Sequence, residues 1–233
     1  MKSENTTPET RRKVIKRFIQ IFVQFTIIFA ILFFSSGHAY WTWLWAYMAC
    51  TFLILSVNLV VLPLDLIAER SEAKADTKAW DKKISVLSGV FVILSYFAAG
   101  FDERFQISGP VFPIVLHYLG AFLFLAGSFL FTWAMVSNRY FSTLVRLQFD
   151  RGHVVETGGP YRFVRHPGYT GYIIFSTGGQ LLLGSWVAQI PVLVCCLLFI
   201  LRTYLEDNTL KKELPGYEDY AARVRYRLLP GIW

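Results

Sequence analysis

Three cysteines and four histidines are all that 233 residues carry. Cys50, Cys195 and Cys196 each lie inside an apolar run, and no Cys/His spacing of the metal-binding kind occurs. A disulfide framework and a metal site are set aside, and the thiols read as small buried hydrophobes. Charge is thin as well. Asp, Glu, Lys and Arg make up 17% of the chain, and their +7 balance is not gathered in any basic soluble segment. Nucleic acid is therefore excluded as a partner. There is no internal repeat and no low-complexity linker. Gly158-Gly159 does not follow a strand pattern, so a glycine-rich nucleotide-binding turn lacks its context.

What the chain does have is apolar length. It is 55% hydrophobic, with a mean hydropathy of +0.44. Phe18 to Ser36, Trp43 to Leu64, Ile84 to Phe101 and Phe112 to Val136 are each about 18–25 residues, enough to cross about 30 Å of hydrocarbon as helix. A shorter fifth stretch runs from Tyr169 to Leu183 and a sixth from Trp186 to Tyr204, with "LGSW" (183–186) as the turn of a hairpin. The fold class expected is all-α, a polytopic membrane bundle of five to six transmembrane helices. The first apolar stretch is too long for a signal-peptide core and has no small-x-small site after it. Lys and Arg collect before it and in Leu64–Lys83, Ser137–Pro167 and the tail, whereas 35–41 and 102–111 hold only Arg104. That alternation predicts both termini in the cytoplasm (the inner membrane, in a bacterial cell), with basic loops facing anionic membrane lipids.

The two halves differ. Residues 1–136 read as an N-terminal tail and four-span scaffold, in which Asn58 and His117 are satisfied intramembrane polar groups that help helices associate. Residues 137–233 read as a catalytic half that holds nearly all the chemistry-capable side chains at the cytoplasmic face. In its tail, Leu214, Tyr217, Tyr220, Val224 and Leu228 recur at helical spacings among Arg223, Arg225 and Arg227, after a break at Pro215-Gly216. Such an amphipathic segment either grips the membrane surface or caps a cytoplasmic pocket.

The densest chemistry is "GGPYRFVRHPGYTGY" (158–172). Pro167 biases His166 away from helical angles, so the fifth span should start after it and leave free N–H groups for a carboxylate or phosphate. Tyr161, Tyr169 and Tyr172 offer faces for a purine or a sulfonium. An interfacial Tyr/Arg belt is the bland alternative. A belt has no need of a His between Arg and Pro, or of two Gly/Pro turns within so short a stretch, and the functional reading is preferred. A second group lies in "RTYLEDNTLKKEL" (202–214), where Arg202 and Glu206 share a helical face and Asp207 follows. As a plain i,i+4 pair they would contribute only a few tenths of a kcal/mol. A charge at the end of an apolar run demands a partner or a function.

"GPYRFVRHPGYTGY", followed by R-x3-ED-x2-L and then "PGYEDY", resembles the integral-membrane methyltransferases of the isoprenylcysteine carboxyl methyltransferase type, related to phospholipid N-methyltransferases. The resemblance runs from Asn138 to the C-terminus. It implies S-adenosylmethionine bound at the cytoplasmic side and a lipidic acceptor arriving from the bilayer, either an isoprenylcysteine-type carboxylate or a related lipid-linked carboxylate or amine. It also implies cofactor contacts from His153, Val155, Tyr161, His166, Pro167, Tyr169, Gly171, Glu206 and Leu210, with Arg202 near the acceptor. Where the family often has Glu-Glu, this chain has Glu206-Asp207. A carboxylate acceptor needs only a cation such as Arg202 to orient it, whereas an amine would need a base, for which His166 is the candidate. Two rival readings remain. One is an NADPH-dependent membrane sterol-type reductase, which shares an R-H-x-x-Y plan but calls for a Gly-Trp-Trp sequence absent here. The other is a non-catalytic lipid-binding or transport protein, which would tend to show paired repeats.

Overall fold

The computed structural model describes residues 7–71, 76–109 and 111–233. The first six residues of the polar N-terminus, residues 72–75 of the basic Leu64–Lys83 connection and Pro110 of the loop 102–111 lie outside the described residues. Helices α1 (Pro8–Ser36), α2 (Thr42–Val61), α3 (Leu64–Glu69), α4 (Ala79–Phe105), α5 (Ile114–Ser137), α6 (Pro167–Leu183), α7 (Gln189–Glu213) and α8 (Tyr217–Arg223) follow in order, and no strand occurs among the described residues. Five of them, α1, α2, α4, α5 and α7, are long and apolar enough to cross a membrane. With 17 residues, α6 reaches about 26 Å at 1.5 Å per residue, just short of the hydrocarbon thickness.

Local sequence sets the boundaries. Thr7 accepts a hydrogen bond from the Thr10 amide with Pro8 in the first turn, and Gly37 closes α1 at φ 77. These caps start α1 ten residues before the expected apolar stretch, so Arg11, Arg12, Lys13, Lys16 and Arg17 ride on the helix itself. Pro63 holds Leu62 extended and ends α2. Pro167 opens α6 directly after His166, where the sequence places it. The last long helix runs further than expected, to Glu213, and carries Arg202, Glu206 and Asp207 on its final turns.

The connections sort to two ends. At one, Asp102 accepts hydrogen bonds from Ser185 and Ser108. The His117 ring there stacks on Trp43 at 3.8 Å and donates through Nδ1–H to Leu182 O at 2.8 Å. At the other, Arg146 is held by Glu69 and Asp76, Lys78 by Glu213, and the Lys78 amide by Val145 O. Gln20 of α1 reaches Ser71 O. Both described chain ends therefore sit at this second, more polar end. Between them, Thr132 donates to Asn58 at 2.8 Å, so Asn58 and His117 both tie helices together as the sequence reading has it.

The closest helix pair is α5 with α6. Glycines seven residues apart on each helix, Gly120 and Gly127 against Gly171 and Gly178, bring the backbones into contact. A methyl group on Gly171 would lie 2.7 Å from Gly127 O and 2.7 Å from Phe131 N. Small residues at such crossings substitute for the hydrophobic driving force that lipid removes. Gly171 is thus an interhelical contact and not a wall of the cavity described below. Replacing Gly171 by Ala should cost about 1–3 kcal/mol, the usual penalty for overpacking, because the opposing atoms are backbone and have nowhere to go. Thermal unfolding in detergent micelles checks this; a Gly171→Ala protein as stable as its parent would refute the packing role.

Candidate functional site

A cavity of about 850 Å³ opens at the polar end and runs down between the helices, at the upper end of the range for small-molecule sites, about 300–1,000 Å³. Its polar limb is walled by the 138–166 connection, the first turn of α6, the last turns of α7 and the tail. Its deeper limb is lined by Ile27, Ile31, Val92, Phe124, Phe175 and Val192. His153, Val155, Tyr161, His166, Tyr169, Arg202, Glu206 and Leu210, separated by up to 57 positions in sequence, all line this one space. Pro167 and Gly171 do not: Pro167 is fully buried at the start of α6 and Gly171 faces α5.

The hydrogen bonds around each group narrow what it can do. Gln148 N donates to His153 Nδ1 at 3.2 Å, and the ring lies 4.5 Å from that of Tyr140. Burial first, then Arg146 and Arg151, push the His153 pKa down to about 4. The ring is therefore neutral at pH 7, and with Nδ1 accepting, Nε2–H is its donor. Glu206 accepts a hydrogen bond from the Tyr169 hydroxyl. The Tyr169 ring stacks parallel to His166, with centroids 5.7 Å apart. Beside them, Tyr172 stacks on Phe199 at 3.8 Å.

Asp207 faces the opposite way. It is fully buried. It accepts from Arg165 at 2.7 and 3.0 Å, from Arg227 at 2.9 Å and from the Tyr217 hydroxyl at 3.0 Å, and His166 Nε2 stands 3.5 Å away. Glu206 and Asp207 therefore serve different spaces, because consecutive helical residues point about 100° apart. The expected free N–H groups before α6 are also largely taken. The amides of Arg165 and His166 donate to Tyr226 O and Arg227 O, and those of Tyr169 and Thr170 to His166 O. These backbone pairings also explain why α8 stops at Arg223 although apolar residues continue at helical spacing. The carbonyls of Val224 and Arg225 are drawn to the Arg165 guanidinium and that of Leu228 to the Thr170 hydroxyl. α8 turns Tyr217 and Tyr220 inward to pack with Tyr161, Leu214 and Ala134 over the polar limb.

Arg202 does not form the plain i,i+4 pair with Glu206. Its Nε and Nη2 donate to Asp81 at 2.6 and 2.9 Å, and Nη2 also reaches Thr143 O at 3.0 Å. Asp81 in turn accepts from Val145 N at 2.7 Å. The partner was missed because Asp81 precedes the apolar run by one turn and reads as part of a basic loop. Its one available signal was an acid standing a single turn ahead of a span. Arg17, Gln20 and Gln24 were missed likewise, although their shared face on α1 is visible in the spacing; with Arg70 and Ser88 they bring the N-terminal half into the cavity wall.

Fold and site together define a multi-pass helical membrane protein with a small-molecule cavity at one end of its bundle. The model of the isoprenylcysteine carboxyl methyltransferase family matches residues 119–212. A probable protein-S-isoprenylcysteine O-methyltransferase of Oryza sativa subsp. indica is 31% identical over 110 residues, 46% of this chain and 58% of that protein. Protein-S-isoprenylcysteine O-methyltransferase B of Arabidopsis thaliana is 30% identical over 143 residues, 60% of this chain and 68% of that protein. The Schizosaccharomyces pombe protein-S-isoprenylcysteine O-methyltransferase is 35% identical over 101 residues, 42% of this chain and 43% of that protein. The chain belongs to the isoprenylcysteine carboxyl methyltransferase family. It spans little more than half the length of the rice relative it matches.

Asp81→Asn and Arg202→Met should each destabilise the protein by about 3–5 kcal/mol, since either leaves a buried charge alone. The double variant Asp81→Leu/Arg202→Met should recover much of the loss, and Glu206→Gln should rescue neither. A double-mutant cycle on melting temperature decides it; additive losses for Asp81 and Arg202 would dissolve the pair.

Proposed function

We propose that this protein transfers a methyl group from S-adenosylmethionine to the carboxylate of a lipidic acceptor of the isoprenylcysteine type. The observation that carries the proposal is the continuity of one cavity. A limb of aromatic, imidazole and carboxylate groups runs into a limb lined by aliphatic side chains from membrane-crossing helices.

The residues fit the cofactor's parts. Glu206, whose one side-chain donor among the described residues is Tyr169, has acceptor capacity left for an ammonium. His153 has a neutral ring with Nε2–H to offer to a purine nitrogen, beside Val155 and Leu210. The faces of Tyr169 and Tyr161 suit a sulfonium. When bound, S-adenosylmethionine supplies an electrophilic methyl carbon. The protein's part is to align an acceptor oxygen with that carbon and to keep water out. Tyr217 and Tyr220 over the polar limb serve the second need. His166 has its Nε2 beside Tyr217 and Asp207, which makes it an ordering group more readily than a base. A carboxylate acceptor has no proton to lose, and this favours a carboxylate over an amine.

Calorimetry with S-adenosylhomocysteine on the purified protein tests the cofactor assignment. The parent should bind it and not NADPH. Glu206→Gln should weaken binding by about 1.5–3 kcal/mol, the scale for a hydrogen bond to a charged group, and raise the KM for S-adenosylmethionine. Binding of NADPH with no response to S-adenosylhomocysteine would point to the reductase chemistry instead.

The basic loops put the polar end, with both termini, in the cytoplasm. Single cysteines at Gly37 and Ser108, in a background with Cys50, Cys195 and Cys196 replaced by Ala, should react with an impermeant reagent in intact cells. Protection of both would reverse the orientation.

A further inference from the structure

Arg70 is the C-cap of α3, outside the segment that the family model matches. The buried face of α3, with Ile67 and Ala68, packs on Val14, Phe18 and Leu62, and so fixes Arg70 against the cavity wall. Three other guanidiniums of the wall have carboxylates. Arg146 has Glu69 and Asp76, Arg202 has Asp81, and Arg165 has Asp207. Arg70 has none among the described residues, and its Nη1 is shut away from water without a hydrogen-bond partner. Its guanidinium stands 5.3 Å over the Phe141 ring. That ring in turn lies against the Gly168 backbone, one residue before Tyr169, close enough that a methyl on Gly168 would meet it at 2.7 Å. Arg17 of α1 also lines the cavity, and among the described residues its guanidinium meets only Gln20, at 3.4 Å. Two cations with no carboxylate among the described residues thus face one space, whereas Arg146, Arg165 and Arg202 in the same wall are each neutralised. Burial first, then Arg17 and Arg202, bring the Arg70 pKa down to about 9. The group stays charged at pH 7 at an electrostatic cost that an anion would relieve.

The anion's chemistry follows from the position. From Arg70 and Arg17 the wall continues along α1 through Gln20 and Gln24 to Ile27 and Ile31, on the limb that faces the apolar helices. On the other side, Phe141 and Gly168 lead to Tyr169 and Glu206. We propose that Arg70, assisted by Arg17, binds the acceptor's carboxylate and orients it between the apolar limb and the cofactor end. Arg202, already held by Asp81, shapes the wall. This rests on the methyl-transfer reading above. In the transfer the carboxylate oxygen forms a bond to the methyl carbon. The methyl–sulfur bond breaks with its electron pair passing to sulfur, and the negative and positive charges become a neutral ester and thioether with no proton moved. The ester no longer attracts Arg70, which aids its release.

The test uses the full chain in phosphatidylcholine nanodiscs, with N-acetyl-S-farnesylcysteine and its carboxamide as probes. Competition against radiolabelled N-acetyl-S-farnesylcysteine needs no turnover. The parent should prefer the acid over the amide by about 10–100-fold, as for a hydrogen bond to a charged group. Arg70→Gln should abolish that preference and raise the acceptor KM while S-adenosylhomocysteine affinity stays unchanged. Arg70→Lys should keep part of the preference, and it decides the matter if Arg70→Gln no longer binds S-adenosylhomocysteine. An unaltered acid preference in both variants overturns the site, even where methyl transfer is intact. A parent that shows the Arg70-dependent preference but methylates nothing leaves the site standing and sinks the methyl-transfer reading. Competition by phosphatidylglycerol nanodiscs that disappears in Arg70→Gln, with no acid preference, would assign Arg70 to a lipid headgroup and overturn the proposal.

Discussion

Asp207 is fully buried on α7, and three separate segments of chain are held in place by what donates to it. Arg165 comes from the connection before α6, Tyr217 from α8, and Arg227 from the tail beyond. Removing a carboxylate from water costs several kcal/mol, and only a full set of charge-assisted bonds offsets it. Once Asp207 is satisfied this way, the consequences spread. Arg165 is fixed and pulls Val224 O and Arg225 O inward, the tail closes over the polar limb, and His166 is held beside Tyr169. Glu206, one residue earlier on the same helix, is rotated toward the cavity. A structural acid and a ligand-facing acid thus stand side by side in sequence with different surroundings.

A second buried pair works from the other side. Asp81 and Arg202 join α4 to α7, and through Val145 N and Thr143 O they draw in the connection after α5. The glycine contacts of α5 with α6 hold those two helices close. The deeper limb lies among α1, α4, α5, α6 and α7, each of which contributes side chains to its wall. The cavity is what is left when the polar end is tied by charges and the middle by backbone contact.

The apolar stretches, the turns at Pro167 and at 183–186, and the division into a polar and a non-polar end were legible in the sequence. Each depends on local rules: hydropathy over about 20 residues, a proline that forbids an amide bond, a glycine that accepts positive φ. Much of the candidate site was legible as well, because Tyr161, His166 and Tyr169 belong to one compact motif, Glu206 to a second, and the family resemblance implied His153. Pairings were not. Arg202 and Glu206 share a helical face and look like partners, yet Asp81 takes Arg202 from 121 positions away.

The chain by itself determined that it would form long apolar helices and where the His166-Pro167 turn and the 202–214 acids would stand relative to them, since these follow from composition and spacing within a few turns. Only the tertiary structure decided which charges meet. Asp81 fell to Arg202, Asp207 to Arg165 and Arg227, Gly171 to a helix crossing, and Arg70 was left facing the cavity with no carboxylate among the described residues. The reason is physical. A buried charge is satisfied by whatever donor or acceptor the packing delivers within about 3 Å, and packing brings together residues that sequence distance does not relate.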